Sequence, residues 1–299
     1  MKKYFSKPSL TIQEQIALLE HRGIKIQDKE KAAHSLRFIG YYRLSGYTHY
    51  FKTAHDLYSD KATWDAILNH YTFDSELRIL LFESIKLIEV ATKSAITSVM
   101  TDRYGPFWFN NNELFVNHLG SKIINGGEFI QQAIRESTVE QKNKDVFLKH
   151  YYDTYAFPDI PPSWVVMETL SMGIVSKMLS LLKVETRKEI AILFKTKERH
   201  LVSWIRSLTY TRNLCAHHAR IWNRIFTLKV EADKRYAICR EEAFYKGRIY
   251  SQMVVIWILL QAIDPANPFE QDIKDILRLF PHDYATDMGF PKNWDGFKF

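Results

Sequence analysis

The sequence predicts an all-α fold, a helical bundle, and three observations carry that reading. Apolar residues recur at helical spacing along most of the chain. Only 11 Gly and 9 Pro fall among 299 residues, and most lie between the periodic segments. There are no internal repeats, low-complexity tracts or clear linkers, so the chain reads as mostly one domain.

Ser9 or Thr11 can cap a first helix over TIQEQIALLEHRG that stops at Gly23. Asp28 can start a second, running through Ala32, Ala33 and Leu36 towards Ile39-Gly40. The aromatic-rich stretch YYRLSGYTHYF follows and is read as broken by Gly46. Trp64, Ile67, Leu68, Tyr71, Leu77, Leu81, Ile85 and Ile88 then place one long helix over about 62–99, ended by Tyr104-Gly105-Pro106. A polar section with Gly126-Gly127 leads to a helix from Glu128 towards His150. The turn Asp159-Ile160-Pro161-Pro162 opens the helix SWVVMETLSMGIVSKMLSLL. Short helices over Arg187 to Phe194 and Leu201 to Thr209 lead to the segment TYTRNLCAHHARIWNR, and a long helix spans Glu241 to Ile263. The resulting division is a helical extension packed on the core (1–60), a helical core (61–264) and an irregular, packed tail (265–299).

With 46% hydrophobic and 25% charged residues, the composition is that of an ordinary globular protein. The formal charge of +7 is unevenly spread. Residues 183–248 hold 16 Lys/Arg against 7 Asp/Glu, a balance of +9, which leaves −2 for the remainder. A basic band of this kind fits a polyanionic partner, nucleic acid ahead of membrane, and equally fits a set of solvated helix faces. Basic residues in MKKYFSKPSL are followed by no apolar run, and Met253 to Leu260 is too short to span a bilayer. No membrane partner and a cytoplasmic location are therefore expected. Cys215 and Cys239 are too few for a disulfide framework or a four-cysteine zinc site. The eleven histidines are scattered without HExxH spacing, and no phosphate-binding glycine loop occurs, so neither a metal nor another cofactor is called for.

The segment with the most chemistry is Arg212-Asn213-Leu214-Cys215-Ala216-His217. An arginine can hold a phosphate through two parallel hydrogen bonds, and a histidine can move a proton at neutral pH. Asn213 and His217 are four apart and share a helix face, and the long side chain of Arg212 can reach back towards the same pocket. His218 points about 100° away from His217. The bare pattern also fits a structural role, with Arg212 paired to an acid and His217 bonded within its helix. The cluster Tyr41, Tyr42, Tyr47, Tyr50 and Phe51 suits core packing better than base stacking.

The segment resembles the Arg-x4–6-His signature of the HEPN superfamily, many of whose members are metal-independent ribonucleases acting as dimers. The blocks KPSLTIQEQIALLEHRGIKIQD, IGYYRLSGY, FDSELRILLFESIKLIEVATKSAI, PPSWVVMETLSMG, SWIRSLTYTRNLCAHHARIWNR and FPKNW together resemble the Abi family, the AbiD/AbiF-like abortive-infection proteins. The resemblance implies a HEPN-like bundle and a homodimer that cleaves single-stranded RNA in phage defence, some relatives being associated with a small noncoding RNA. By position, Arg212 and His217 match the motif arginine and histidine, and Asn213 matches the polar residue after the arginine. Arg220 and Arg224, with His218, are assigned RNA contacts. Glu89 matches a family acidic position, with Lys93 where many relatives have arginine. Glu89 pairs with Lys93 along its helix or orients Arg212 or His217 from a neighbouring one. The rival functional readings are a noncatalytic protein that binds a cognate small RNA, and a helical dimerisation module.

Overall fold

A computed structural model of the chain describes residues 4, 8–54, 57–280 and 283–292. Among the described residues there are fourteen α-helices and two small two-stranded antiparallel sheets, a predominantly helical architecture. The chain divides into two compact units, Met1–Arg78 and Ile79–Phe299. Among the described residues no helix is long and apolar enough to cross a membrane. Lys7, which heads the first family-like block, and Asn293 and Trp294 at the end of FPKNW lie outside the described residues.

In the first unit, helix α1 (Ile12–His21) starts at Thr11 rather than Ser9. The Thr11 hydroxyl accepts from the Glu14 N–H, and the Glu14 carboxylate accepts from the Thr11 N–H at 2.7 Å. This reciprocal capping satisfies two donors that a helix start otherwise leaves open. Helix α2 (Lys29–Phe38) is capped by Asp28, as its sequence predicts. Helix α3 (Tyr41–Thr48) runs straight through Gly46, against the expected break. Glycine costs a helix only about 1 kcal/mol, and burial of Leu44 and Tyr47 on one face of α3 offsets it. Strands β1 (Lys52–Ala54) and β2 (Leu57–Tyr58) form a hairpin. Tyr47 is core, donating its hydroxyl proton to Asp74 at 2.6 Å, while Tyr42 is exposed. Arg78 pairs with the same Asp74 carboxylate, and both charged residues are buried.

Helix α4 (Trp64–Tyr104) begins in the first unit and continues into the second. It outruns the expected end at Val99 and stops at Gly105, whose φ of 80° suits glycine. Next comes a hairpin of β3 (His118–Leu119) and β4 (Lys122–Ile123). Helix α5 (Gly126–Gln141) starts on the paired glycines themselves. A Cβ at Gly126 would lie 2.3 Å from the Val116 carbonyl oxygen, and one at Gly127 would lie 2.9 Å from the Asn112 Cα. The pair therefore lets α5 seat directly on the segment leading into the hairpin.

Several expected helices are divided. Asp145 caps a separate α6 (Val146–Thr154), so the helix expected over Glu128–His150 breaks after Gln141. Leu170 is extended and Ser171 caps a new start, which splits SWVVMETLSMGIVSKMLSLL into α7 (Ser163–Thr169) and α8 (Met172–Leu181). Helix α9 (Val184–Leu193) matches expectation closely. Helix α10 (Glu198–Ala216) instead joins the expected short helix to the Arg-x4-His segment in one 19-residue rod. Gly247, at φ 65°, separates α11 (Glu242–Tyr245) from α12 (Ile249–Ile263), where one helix was expected. The tail also departs from an irregular reading. Phe269, Ile273 and Leu277 repeat every four residues and bury one face of α13 (Phe269–Arg278), and α14 (Asp283–Asp287) follows.

Candidate functional site

Helix α10 packs against α8, α9 and α12. Leu201, Trp204, Ile205, Leu208, Thr211 and Cys215 form its buried face, an i, i+3/i+4 stripe that fixes which residues point outward. Thr209, Tyr210 and Arg212 are half-buried at its margin, while Asn213, His217 and His218 are exposed. The helix ends in a backbone motif that explains the exposure. The His217 N–H donates to the Asn213 carbonyl at 3.0 Å, the His218 N–H to Cys215 at 3.0 Å and the Ala219 N–H to Leu214 at 2.9 Å. His218 is left-handed, with φ 53°. This is a Schellman ending, in which the left-handed position is usually glycine. The chain then turns into the core through Ile221 and Trp222, both fully buried.

The structure brings Arg212 and Glu89 together across α10 and α4. The Arg212 Nε lies 3.9 Å from Glu89 Oε2, and the guanidinium lies over the Phe82 ring, 5.4 Å from its centroid. The second Glu89 oxygen is 3.5 Å from the Lys93 ammonium. Glu89 therefore lies between two cations in one row, Lys93–Glu89–Arg212. Lys93 also approaches the Glu168 carbonyl at 3.5 Å. The Arg212–Glu89 contact is longer than a hydrogen bond and Arg212 is 35% exposed, so the pair is worth at most about 1 kcal/mol. Among the described residues the Arg212 guanidinium makes no hydrogen bond, nor do the side chains of Asn213 and His217. A flat cation, an amide and an imidazole thus stand within the last two turns of one helix with their hydrogen-bonding capacity unspent.

The remaining predicted residues fall into a different setting. Arg224 lies half-buried, with its guanidinium donating to the Tyr210 hydroxyl at 3.1 Å and the Arg220 carbonyl at 3.3 Å. It braces the turn that follows α10. Arg220 is half-buried in the same turn, and His218 has its backbone fixed by the helix ending.

The other end of α10 carries a second titratable cluster that the sequence did not single out. His200 Nδ1 is 3.1 Å from Asp233 Oδ2, Arg235 makes several hydrogen bonds to the same carboxylate, and Thr196 adds one at 3.1 Å. Burial pushes the His200 pKa below the ordinary imidazole value, with Asp233 opposing it. Burial alone would raise Asp233, but the hydrogen bonds from Arg235 and the nearby His200 hold it below the usual carboxylate range. The pair joins the start of α10 to the 231–235 loop. Burial also pushes the Cys239 thiol up to about 12, and Cys215 is buried in the α10 core face. Among the described residues no three His, Cys, Asp or Glu side chains gather as a metal-binding group.

Helix bundle, basic band and Arg-x4-His helix end define an all-α protein with a polar site on one exposed helix terminus. The chain belongs to the Abi-like protein family, whose sequence model matches residues 34–223. That match links it to abortive-infection, phage-defence proteins and contains Glu89, Arg212, Asn213, His217, His218 and Arg220, ending just before Arg224. No curated protein and no solved structure matches the chain.

Proposed function

We propose that this protein is a HEPN-type endoribonuclease toxin of a phage-defence system that cleaves single-stranded RNA without using a metal. The observation that carries the reading is the unspent triad of Arg212, Asn213 and His217 at the exposed end of α10, with Glu89 beside Arg212. RNA supplies its own nucleophile. A neutral His217 takes the proton of the 2′-hydroxyl as the 2′-oxygen attacks the adjacent phosphorus. The P–O5′ bond breaks, a protonated imidazole gives its proton to the departing 5′-oxygen, and a 2′,3′-cyclic phosphate remains. Such proton transfer contributes about 10²–10⁴-fold. Arg212 stabilises the charge that grows on the phosphoryl oxygens, its planar fork matching two of them, and Asn213 hydrogen-bonds the same group.

One imidazole cannot serve as base and acid in the same step, so the proposed enzyme is a homodimer that pairs two copies of the site. Leu87 and Val90 are exposed apolar residues on one side of α4, about 160° and 100° around the helix from Glu89, and they support a second copy packing on that helix next to the site. Purified protein incubated with RNA in EDTA should yield fragments with cyclic-phosphate ends. Arg212→Ala and His217→Ala should each lower cleavage by at least 10²-fold while the variants stay folded and dimeric. Cleavage persisting in both variants would sink the site assignment. A wild type that only shifts RNA in a gel, with steep salt dependence, would favour a binding protein for a cognate small RNA.

A further inference from the structure

Beside α10 the structure holds a cleft of about 840 Å³ that no part of the cleavage chemistry uses. Its walls come from the β3–β4 hairpin, α8, α9 and α10, and they carry four cations, Lys122, Lys177, Arg187 and Arg206. No Asp or Glu lines it among the described residues. None of the four cations forms an ion pair with a carboxylate among the described residues, although Lys177 lies over the Phe129 ring. The Arg187 Nε is buried without a hydrogen-bond partner, and one of its terminal nitrogens reaches the Ser180 carbonyl only at 3.5 Å. Four uncompensated cations around one concavity repel each other, and an anion inside relieves that repulsion.

The cleft is not isolated. A smaller cleft of about 280 Å³ adjoins it, sharing Val202 and Arg206 and adding Arg199 and Lys229. Arg199, Arg206 and Asn213 follow one another at seven-residue intervals on α10, with His217 four further on. At 100° per residue these four stand within about 40° of one another around the helix axis, and each seven-residue step advances about 10 Å. All four are exposed. A stacked nucleic-acid strand advances about 3.4 Å per nucleotide, so each step corresponds to roughly three nucleotides. The two clefts meet at Val202 and Arg206 and reach Thr209, and Asn213 and His217 continue the exposed face of α10 beyond them, an arrangement that fits a strand better than a small anion.

We infer that the cleft of Lys122, Lys177, Arg187 and Arg206 is a phosphate-binding subsite that leads a single nucleic-acid strand along α10 to His217. The inference rests on the ribonuclease reading for what happens at His217, but the subsite itself is a binding claim and is testable apart from cleavage. Lys122 and Arg206 are exposed and unpaired among the described residues, so Lys122→Ala/Arg206→Ala leaves the core intact. Gly173 lines the cleft, and a Cβ there meets only the Ser171 hydroxyl at 3.7 Å, so Gly173→Leu narrows the cleft without a change of charge.

The test is fluorescence anisotropy with a labelled 20-nucleotide 2′-O-methyl RNA, which offers no 2′-hydroxyl for self-attack, at several salt concentrations. Loss of two phosphate contacts should make the slope of log K against log salt shallower by about 1.4 in the double variant, with affinity at least tenfold lower at the lowest salt. Gly173→Leu should weaken binding in the same direction. Unchanged binding in both variants would overturn the subsite, even if the wild type still cleaves RNA. Cleft-dependent binding by a protein that cleaves nothing would keep the subsite and remove the ribonuclease reading. Adenosine monophosphate or inorganic phosphate binding as tightly as the oligonucleotide would overturn the strand reading in favour of a small-anion pocket.

Discussion

Two arginine–carboxylate pairs, Asp74–Arg78 and Glu89–Arg212, use one chemistry for opposite ends. Asp74 and Arg78 are sealed in the first unit, four residues apart on α4, with the Tyr47 hydroxyl completing the site. Their charges have been taken out of water, and each is tolerable only because the other is there. Arg212 is 35% exposed, 3.9 Å from Glu89, and rests on a ring face rather than in a hydrogen-bonded fork. The first pair holds its position through mutual dependence. The second keeps a cation in place while leaving its donors open, so burial, not residue type, separates the structural arginine from the one proposed to hold a phosphate.

Breaking the first pair should have the largest effect on stability. Asp74→Ala strands a buried guanidinium and should lower the unfolding free energy by about 3–5 kcal/mol in urea titrations. Arg212→Ala, read in the same assay, should cost no more than about 1 kcal/mol. Equal losses at the two positions would erase the distinction.

Acid should sharpen it. His70, in the same unit as Asp74, is buried against Tyr50 and Phe51 and has its pKa lowered to about 4 by burial, against a backbone hydrogen bond to Ala66 that raises it. The unfolded chain therefore takes up a proton near the ordinary value of 6.5 that the folded chain refuses until about pH 4. The contribution is fully present above pH 6.5 and is lost as pH falls towards 4, about 3 kcal/mol in all. His70→Leu should flatten the stability profile across that window, and an unaltered profile would contradict the assignment.

The smallest effect belongs to His218. A non-glycine residue in the left-handed position ending α10 is strained, so His218→Gly should raise stability by about 0.5–1 kcal/mol in thermal or urea unfolding. A loss of stability instead would mean that the imidazole's own contacts outweigh the backbone strain.

The legible parts of the fold were those written in local chemistry. Thr11 and Asp28 announce helix starts because their side chains bond their own backbone a turn later. The division at Leu170 was not legible, because unbroken apolar periodicity hides a break that the Ser171 cap enforces, whereas the break after Gln141 falls in the polar run Glu140–Asp145, where Asp145 caps the next helix. The order in the tail is written in the four-residue spacing of Phe269, Ile273 and Leu277, a pattern confined to a helix of ten residues set between Pro268 and Pro281. At the site, Arg212, Asn213 and His217 could be found together because they fall within six residues at the end of one helix. Glu89 came from a positional resemblance, and its approach to Arg212 needed the packing of α10 beside α4. The basic cleft was hidden for the same reason. Lys122, Lys177, Arg187 and Arg206 come from four separate elements, and only the Arg199–Arg206–Asn213 spacing was available to a reader of the sequence.

The most direct test of the account compares one RNA with its all-2′-deoxy counterpart, incubated with the wild-type protein in EDTA and followed by analysis of the new ends. The account predicts cleavage of the RNA alone, with 2′,3′-cyclic phosphate and 5′-hydroxyl termini that disappear with His217→Ala. Cleavage of the deoxy strand, or RNA products that carry 5′-phosphates, would contradict it.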